Sequence, residues 1–225
     1  MEENFVFQGL AIMFSWDKKS IQWFELSAKS TTFHKEIAKK IIPYLDKSST
    51  LLSLGSGMGF LERELSNFVK QMILVDNSSY AVEYLEKNKE NNQFILNTDW
   101  KNINIKSDYL LLSFFSRMYV EDTFESFLEL TNKKIFYLIN ERRCDIEEVI
   151  NYLDSKNASY SYEKMNLDFD QILYKTEKNA YLEKYYKDFL KIKKEKLLTN
   201  FKKIDDKRVV FKNKKKIVLF IINKE

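Results

Sequence analysis

Leu51-Leu52-Ser53-Leu54-Gly55-Ser56-Gly57-Met58-Gly59-Phe60-Leu61-Glu62-Arg63-Glu64-Leu65 is the stretch that decides the fold. Residues 51–54 form a short apolar run, as expected of a strand buried on both faces. Leu61 and Leu65 lie four apart, on one face of a helix. Between strand and helix stand three of the chain's four glycines; the other is Gly9. Glycine alone turns through positive φ at no steric cost and lets a ligand approach the main chain closely. Strand, glycine turn and helix together have the form of a βα nucleotide-binding turn, in which the helix start offers N–H groups. A second apolar run, Met72-Ile73-Leu74-Val75, ends in Asp76. A carboxylate there, about 20 residues past the loop, is placed to accept hydrogen bonds from both ribose hydroxyls of a nucleoside cofactor.

Working outward, Phe94-Ile95-Leu96, Asp108-Tyr109-Leu110-Leu111-Leu112-Ser113-Phe114 and Lys134-Ile135-Phe136-Tyr137-Leu138-Ile139 read as further strands. They alternate with amphipathic segments as far as residue 155, the pattern of a parallel sheet with helices on both faces. Upstream, residues 17–29 and 31–44 read as helices, with Leu26, Phe33, Ile37, Ile41 and Leu45 at helical spacing and Pro43 near the second helix's end. Downstream, residues 168–178 read as helix, 180–189 as strand or helix, and 189–204 as a lysine-rich amphipathic helix. Residues 208–211 and 217–222, with Asn213-Lys214 between them, read as a closing antiparallel hairpin. No repeat or linker divides the chain. The expected arrangement is one domain: a helical cap over 1–48, a cofactor-binding core over 49–155, and C-terminal helices and closing strands over 156–225.

Composition narrows the chemistry. The 225 residues hold one cysteine, Cys144, and one histidine, His34. A disulfide, a thiolate metal cage and an imidazole metal site are therefore not expected. No apolar run approaches the roughly 20 residues that span a bilayer. The apolar lead-in at residues 1–14 follows acids rather than lysines and is interrupted by Gln8 and Gly9, unlike a signal peptide. A cytoplasmic address is the expectation.

The glycine spacing distinguishes cofactors. The dinucleotide fingerprint is G-x-G-x-x-G, but here the third glycine comes one residue early and Phe60 takes its place. Gly55-Ser56-Gly57-Met58-Gly59 instead resembles motif I of the class I S-adenosylmethionine (SAM) methyltransferases. The preceding helices, Asp76 at the second strand's end, Asn97-Thr98-Asp99-Trp100 after the third strand, and the fourth and fifth strands fit the same pattern over roughly residues 30–155. Ser15-Trp16-Asp17-Lys18-Lys19 resembles the aromatic lead-in of some small bacterial members. The resemblance implies a Rossmann-like class I methyltransferase sheet, mostly parallel with an antiparallel C-terminal strand, preceded by N-terminal helices. It implies SAM as cofactor, held by Gly55, Ser56, Gly57 and Gly59, with Asp76 and Asn77 at the ribose, Asp99 and Trp100 at the adenine, and Ser113 near the methionine end. The sequence departs from the pattern at Ser53, where the family usually has an acid that helps to hold the amino end of the methionine. Serine brings no charge, so either SAM is held less tightly or another acid substitutes.

SAM chemistry needs no fixed catalytic motif, and the catalytic residues and the acceptor stay open. Phe114, Arg117 and Tyr119 follow the fourth strand and are candidates for substrate contact; strand-end packing and an exposed loop are the alternatives. Trp16 is a further candidate for substrate contact, and both Trp16 and Trp23 fit either a lid over the crevice or the core. Asp99 fits either the adenine or a helix N-cap. His34 fits a helix surface, and Cys144, beside Arg142 and Arg143, either a reactive thiol or an incidental one. Residues 184–216 carry 14 basic against four acidic side chains, while the whole chain is only +4. That asymmetry fits RNA or a solvated helix face. The chain's 32 lysines against five arginines favour the second. No Asn-Pro-Pro-Tyr-like segment and no Pro-Cys pair marks a nucleic-acid enzyme. The expected function is methyl transfer to a small molecule, with no membrane partner. The alternatives are an RNA methyltransferase, a SAM-binding protein without catalysis and, more distantly, a nicotinamide dehydrogenase.

Overall fold

The computed structural model describes residues 16–115, 118–141 and 145–224. Its elements in chain order are α1 (Lys18–Ser30), α2 (Phe33–Ile41), β1 (Thr50–Leu54), α3 (Phe60–Leu65), β2 (Gln71–Asp76), α4 (Ser79–Asn88), β3 (Gln93–Asn97), β4 (Ser107–Ser113), α5 (Met118–Glu121), α6 (Phe124–Glu129), β5 (Thr131–Asn140), α7 (Ile146–Ser155), β6 (Ser159–Asp168), β7 (Gln171–Tyr174), α8 (Lys178–Thr199), β8 (Phe201–Lys203), β9 (Arg208–Phe211) and β10 (Lys214–Asn223). Short side chains start several helices. Asp17 and Ser20 form a reciprocal capping box on α1, while Ser78 caps α4 and Asp145 caps α7.

A seven-stranded sheet in the order β3-β2-β1-β4-β5-β10-β6 organises the molecule. The first five of these strands pair parallel to one another, and β10 pairs antiparallel to β5 and to β6. Burial alternates along each central strand. Leu51, Met72, Leu74, Tyr109, Leu111, Phe136, Leu138, Ile217 and Leu219 face one core, which α2, α3 and α4 cover. Leu52, Leu54, Ile73, Val75, Leu110, Leu112, Tyr137 and Phe220 face the other, closed by α5, α6 and α7. Both faces are covered, so the central strands read as continuous apolar runs in the sequence. The chain order reverses at β1, which sits between β2 and β4. The carboxyl ends of these strands meet at that switch point, the position where open α/β sheets bind ligands.

The segment beyond residue 155 departs from the sequence reading in three places, the first being the end of the expected 189–204 helix, where Phe201–Lys203 is instead strand β8, held by pairing with β9. Residues 168–178 are not helical: they hold the end of β6, then β7 and a single 3-10 turn before α8. Residues 208–223 are not a hairpin. β9 pairs with β7 and β8 in a separate three-stranded sheet, and β10 joins the main sheet. The cause is a long antiparallel ribbon that bends. Ser159↔Asn223 through Asp168↔Lys214 pair in the main sheet, and Gln171↔Phe211 through Tyr174↔Arg208 continue the same register in the small one. At the bend, Phe169 N–H donates to Asn213 C=O at 2.8 Å, and Asn213 N–H donates to the Asp170 carboxylate at 3.1 Å. Asn213 thus carries the chain from one sheet to the other instead of reversing it. The small sheet packs on α1 and α8 through Trp23, Leu173, Tyr181, Leu182, Val209 and Phe211, and Trp23 Nε1–H donates to Glu177 at 2.9 Å. Trp23 is therefore a core residue. Among the described residues no helix is long and apolar enough to cross a membrane.

Candidate functional site

The loop of residues 55–59 leaves β1 at the switch point. Its three glycines all have positive φ, between 55° and 66°, the left-handed region that disfavours any side chain. Its amides are used in anchoring it. Ser56 N–H donates to Val75 C=O at 3.0 Å, Gly59 N–H to Ser56 C=O at 3.0 Å, and Gly57 N–H to Asp76 Oδ2 at 2.8 Å. The other oxygen of Asp76 accepts from Ser78 N–H at 2.9 Å, and the Asp76 carbonyl accepts from Thr98 N–H at 3.2 Å. Asp76 thereby joins the glycine loop, the start of α4 and the segment after β3. Each carboxylate oxygen carries one hydrogen bond here and has acceptor capacity for another. Asp76 is only 8% exposed, and burial pushes its carboxyl up against the opposing pull of the two amide bonds.

Each glycine makes a close contact that a Cβ would obstruct. A Cβ on Gly55 would lie 2.1 Å from the Phe115 ring, one on Gly57 3.0 Å from the Trp16 indole, and one on Gly59 2.5 Å from Leu85 Cδ2. Gly59 is bare so that α4 can pack. The bare faces of Gly55 and Gly57 are covered by two aromatic rings from outside the loop.

Around this junction the other expected site residues take varied places. Asn77 is exposed beside Asp76. Asp99 is exposed and accepts from Lys101 N–H at 2.9 Å, capping the 3-10 turn of Trp100–Asn102. Trp100 is half-buried, its ring 5.0 Å from Phe127 and edge-on to Phe115 at 6.3 Å. Phe115 therefore bridges Trp100 and the glycine loop. Ser113 ends β4 half-buried. Phe114 follows at a φ of 57°, strained for a residue with a side chain. Its ring is 45% exposed and stacks against Phe33 at 6.3 Å. Tyr119 packs against the core under α6 and α7. Arg117 lies outside the described residues, as do Cys144, Arg142 and Arg143. Trp16 packs edge-on against Phe24 at 5.3 Å.

Two residues at the site escaped sequence reasoning. His34 is not on an open helix surface. Its ring stacks on Phe60 at 5.5 Å and lies within 5.8 Å of Phe24, Phe33 and Phe169. Burial, with the Arg63 charge nearby, lowers its pKa to about 3, so the imidazole is neutral at physiological pH. Glu62 is buried and accepts a hydrogen bond from Ser53 Oγ at 2.6 Å. The only hint in the sequence was the missing acid at position 53. Burial pushes the Glu62 carboxyl up, and the Asp76 charge adds to this, while the Ser53 hydroxyl pulls the other way.

That shift makes a stability prediction. A raised folded-state pKa means that the native chain keeps the proton longer than the unfolded one. The contribution of Glu62 is then full below the ordinary carboxyl value of 4.5 and is lost as pH rises through the folded value. Glu62→Gln keeps an acceptor for Ser53 and removes the buried charge. The variant should melt like the wild type near pH 4 and above it at pH 8, by about 2–4 °C per kcal/mol recovered. Melting curves across that range check this; a variant that melts lower at pH 8 contradicts it.

No protein-family model and no curated protein matches this sequence. Solved structures do match in fold. The chain is similar to the YcgJ protein of Bacillus subtilis, at 13% identity over 85% of this chain and 99% of that one, with a TM-score of 0.60. It is similar to the precorrin-6y C5,15-methyltransferase of Geobacter metallireducens GS-15, at 9% identity over 84% and 89%, with a TM-score of 0.55. A tRNA methyltransferase of M. jannaschii matches at 14% identity over 84% of this chain and 49% of that one, with a TM-score of 0.51. At such identities what is shared is the fold. The chain has the Rossmann-like fold of the class I methyltransferases.

Proposed function

We propose that the chain is a SAM-dependent methyltransferase acting on a small molecule. The observation that carries the reading is the junction of Asp76 with Gly57 at the switch point of the sheet. It sets a buried carboxylate with spare acceptor capacity beside main chain that bears no side chains. These features suit a nucleoside: hydroxyls for the carboxylate and close approach for the sugar and its substituent. Gly55, Ser56, Gly57 and Gly59 would line the ligand, Asp76 and Asn77 hold the ribose, Asp99 and Trp100 flank the adenine, and Ser113 lies toward the methionine. When bound, SAM supplies a methyl group already activated on a sulfonium. The protein's part is to orient an acceptor and exclude water, which can lower the barrier by roughly 7–11 kcal/mol.

Phe115 and Trp16 take part in that exclusion. Both rings rest on the glycines, so a ligand seated against those faces has to displace them. Titration with SAM should change tryptophan emission, and Trp16→Phe should reduce the change, the remainder coming from Trp100 beside the adenine. An unaltered signal at a concentration that saturates the site by calorimetry contradicts the displacement.

A small acceptor is favoured by the pairing of the C-terminal charges. Lys184 pairs with Asp17 at 2.5 Å, Arg208 with Asp205 at 2.7 Å, Lys203 with Asp206 at 2.8 Å and Lys212 with Asp170 at 2.5 Å. Each of these four basic side chains is paired with an acid. The excess of 14 basic over four acidic residues in 184–216 favours RNA as the second reading. Transfer of labelled methyl from SAM to a panel of small nucleophiles and to bulk tRNA tests both. Label on a small acceptor supports the first reading. Label on tRNA alone, with binding that weakens steeply in salt, supports the second. A chain that binds SAM and transfers to nothing is a binding protein.

A further inference from the structure

The glycine loop has a second buried acid beside it, Glu62. Glu62 is 2% exposed, whereas the next two residues of the same short helix, Arg63 and Glu64, are half-buried and exposed. It is tied to the loop by two hydrogen bonds in series: Ser53 Oγ donates to Glu62 Oε1 at 2.6 Å, and Ser56 Oγ donates to the Ser53 carbonyl at 3.1 Å. Ser53 itself is fully buried at the end of β1.

A carboxylate is a costly choice for this position unless a cation meets it. The Arg63 charge acts on Glu62, but its guanidinium is engaged elsewhere: it donates to Met58 C=O at 3.0 Å and lies over the Phe60 ring at 4.3 Å. Among the described residues no ion pair includes Glu62. Packing alone would be served by an apolar side chain, as at Leu61 and Leu65, and the hydroxyl of Ser53 by a neutral amide. An acid kept under the loop, and held there by Ser53, therefore points to a cationic group on what the loop binds.

We propose that Glu62, held in place by Ser53, receives the ammonium of the amino-acid end of the bound ligand. The inference rests on the reading of the loop as a SAM site. It also accounts for Ser53: the negative charge absent from the end of β1 arrives from the helix that follows, with the serine hydroxyl as its support. Glu62 is then a ligand-binding residue and Ser53 a positioning residue.

Calorimetry with two ligands tests this on the full chain. SAM carries the ammonium; 5′-methylthioadenosine has the same nucleoside and sulfur but no amino acid. Glu62→Gln should weaken SAM binding at least tenfold and leave methylthioadenosine within twofold. Ser53→Ala should shift SAM in the same direction by a smaller factor, again sparing methylthioadenosine. Equal loss of both ligands in Glu62→Gln, with a lowered melting temperature, marks a structural role and overturns the inference. So does unchanged SAM binding, and in either case the cofactor assignment stands. A folded wild type that binds neither ligand overturns the assignment and the inference together.

Discussion

Asp76→Asn weakens SAM binding by about 1–3 kcal/mol, roughly 5- to 150-fold. The substitution removes a buried charge and an acceptor at once. Each carboxylate oxygen of Asp76 already holds one amide, Gly57 at 2.8 Å and Ser78 at 2.9 Å. An asparagine has one acceptor oxygen, so its NH₂ must face one of those two N–H groups, donor against donor. Either the loop or the start of α4 loses its anchor, and ribose hydroxyls lose half of their acceptors. The melting temperature falls too, because a buried amide left unpaired costs about 1–3 kcal/mol, or about 2–4 °C per kcal/mol for a chain of this size. Calorimetry and thermal melts on the same samples separate the two effects. Unchanged affinity in a folded Asp76→Asn variant contradicts the role assigned to this carboxylate.

Gly59→Ala is expected to damage the fold more than Gly57→Ala. Gly59 has a φ of 65° and ψ of 27° at the N-cap of α3. A side chain in that left-handed conformation costs roughly 1–2 kcal/mol. The new Cβ would also stand 2.5 Å from Leu85 Cδ2. Leu85 is fully buried in the core under α4, and forcing it to repack adds about 1–3 kcal/mol. The combined loss of about 2–5 kcal/mol predicts a drop of some 4–20 °C in melting temperature. Gly57→Ala carries the same backbone strain but meets the Trp16 indole at 3.0 Å. It should be milder in melting and more harmful to ligand binding. The reverse order contradicts the packing described here.

Much of the core was legible because its physics is local. A strand buried on both faces must be apolar throughout, so β1, β2, β4 and β5 stand out as runs, and three glycines in five residues mark the turn between β1 and α3. The C-terminal part was less legible because its structure depends on distant partners. Gln171–Tyr174 is four residues long and is a strand only through its pairing with Arg208–Phe211. Asn213-Lys214 looks like a two-residue hairpin turn. Asp170, more than 40 positions upstream, takes the Asn213 amide and turns the chain into the main sheet.

The candidate site divides in the same way. The glycines and Asp76 were visible, since motif and strand end place them together. Glu62 was not, because α3 is only six residues long and its buried face can be fixed only once β1 is set beneath it. The cage around His34 was likewise hidden. It assembles α1, α2, α3 and the bend at Phe169 from four parts of the chain. The rings of Phe115 and Trp16 over Gly55 and Gly57 come from outside the loop altogether.

Amide NMR of the isotopically labelled full chain, recorded with and without SAM, tests the central claim most directly. The expected shifts centre on residues 55–59, on Asn77 and Ser78 beside Asp76, and on Thr98 and Asp99, at a stoichiometry of one ligand per chain. A folded protein whose spectrum is unchanged at millimolar SAM, or whose shifts fall away from the carboxyl ends of β1, β2 and β3, would contradict the account.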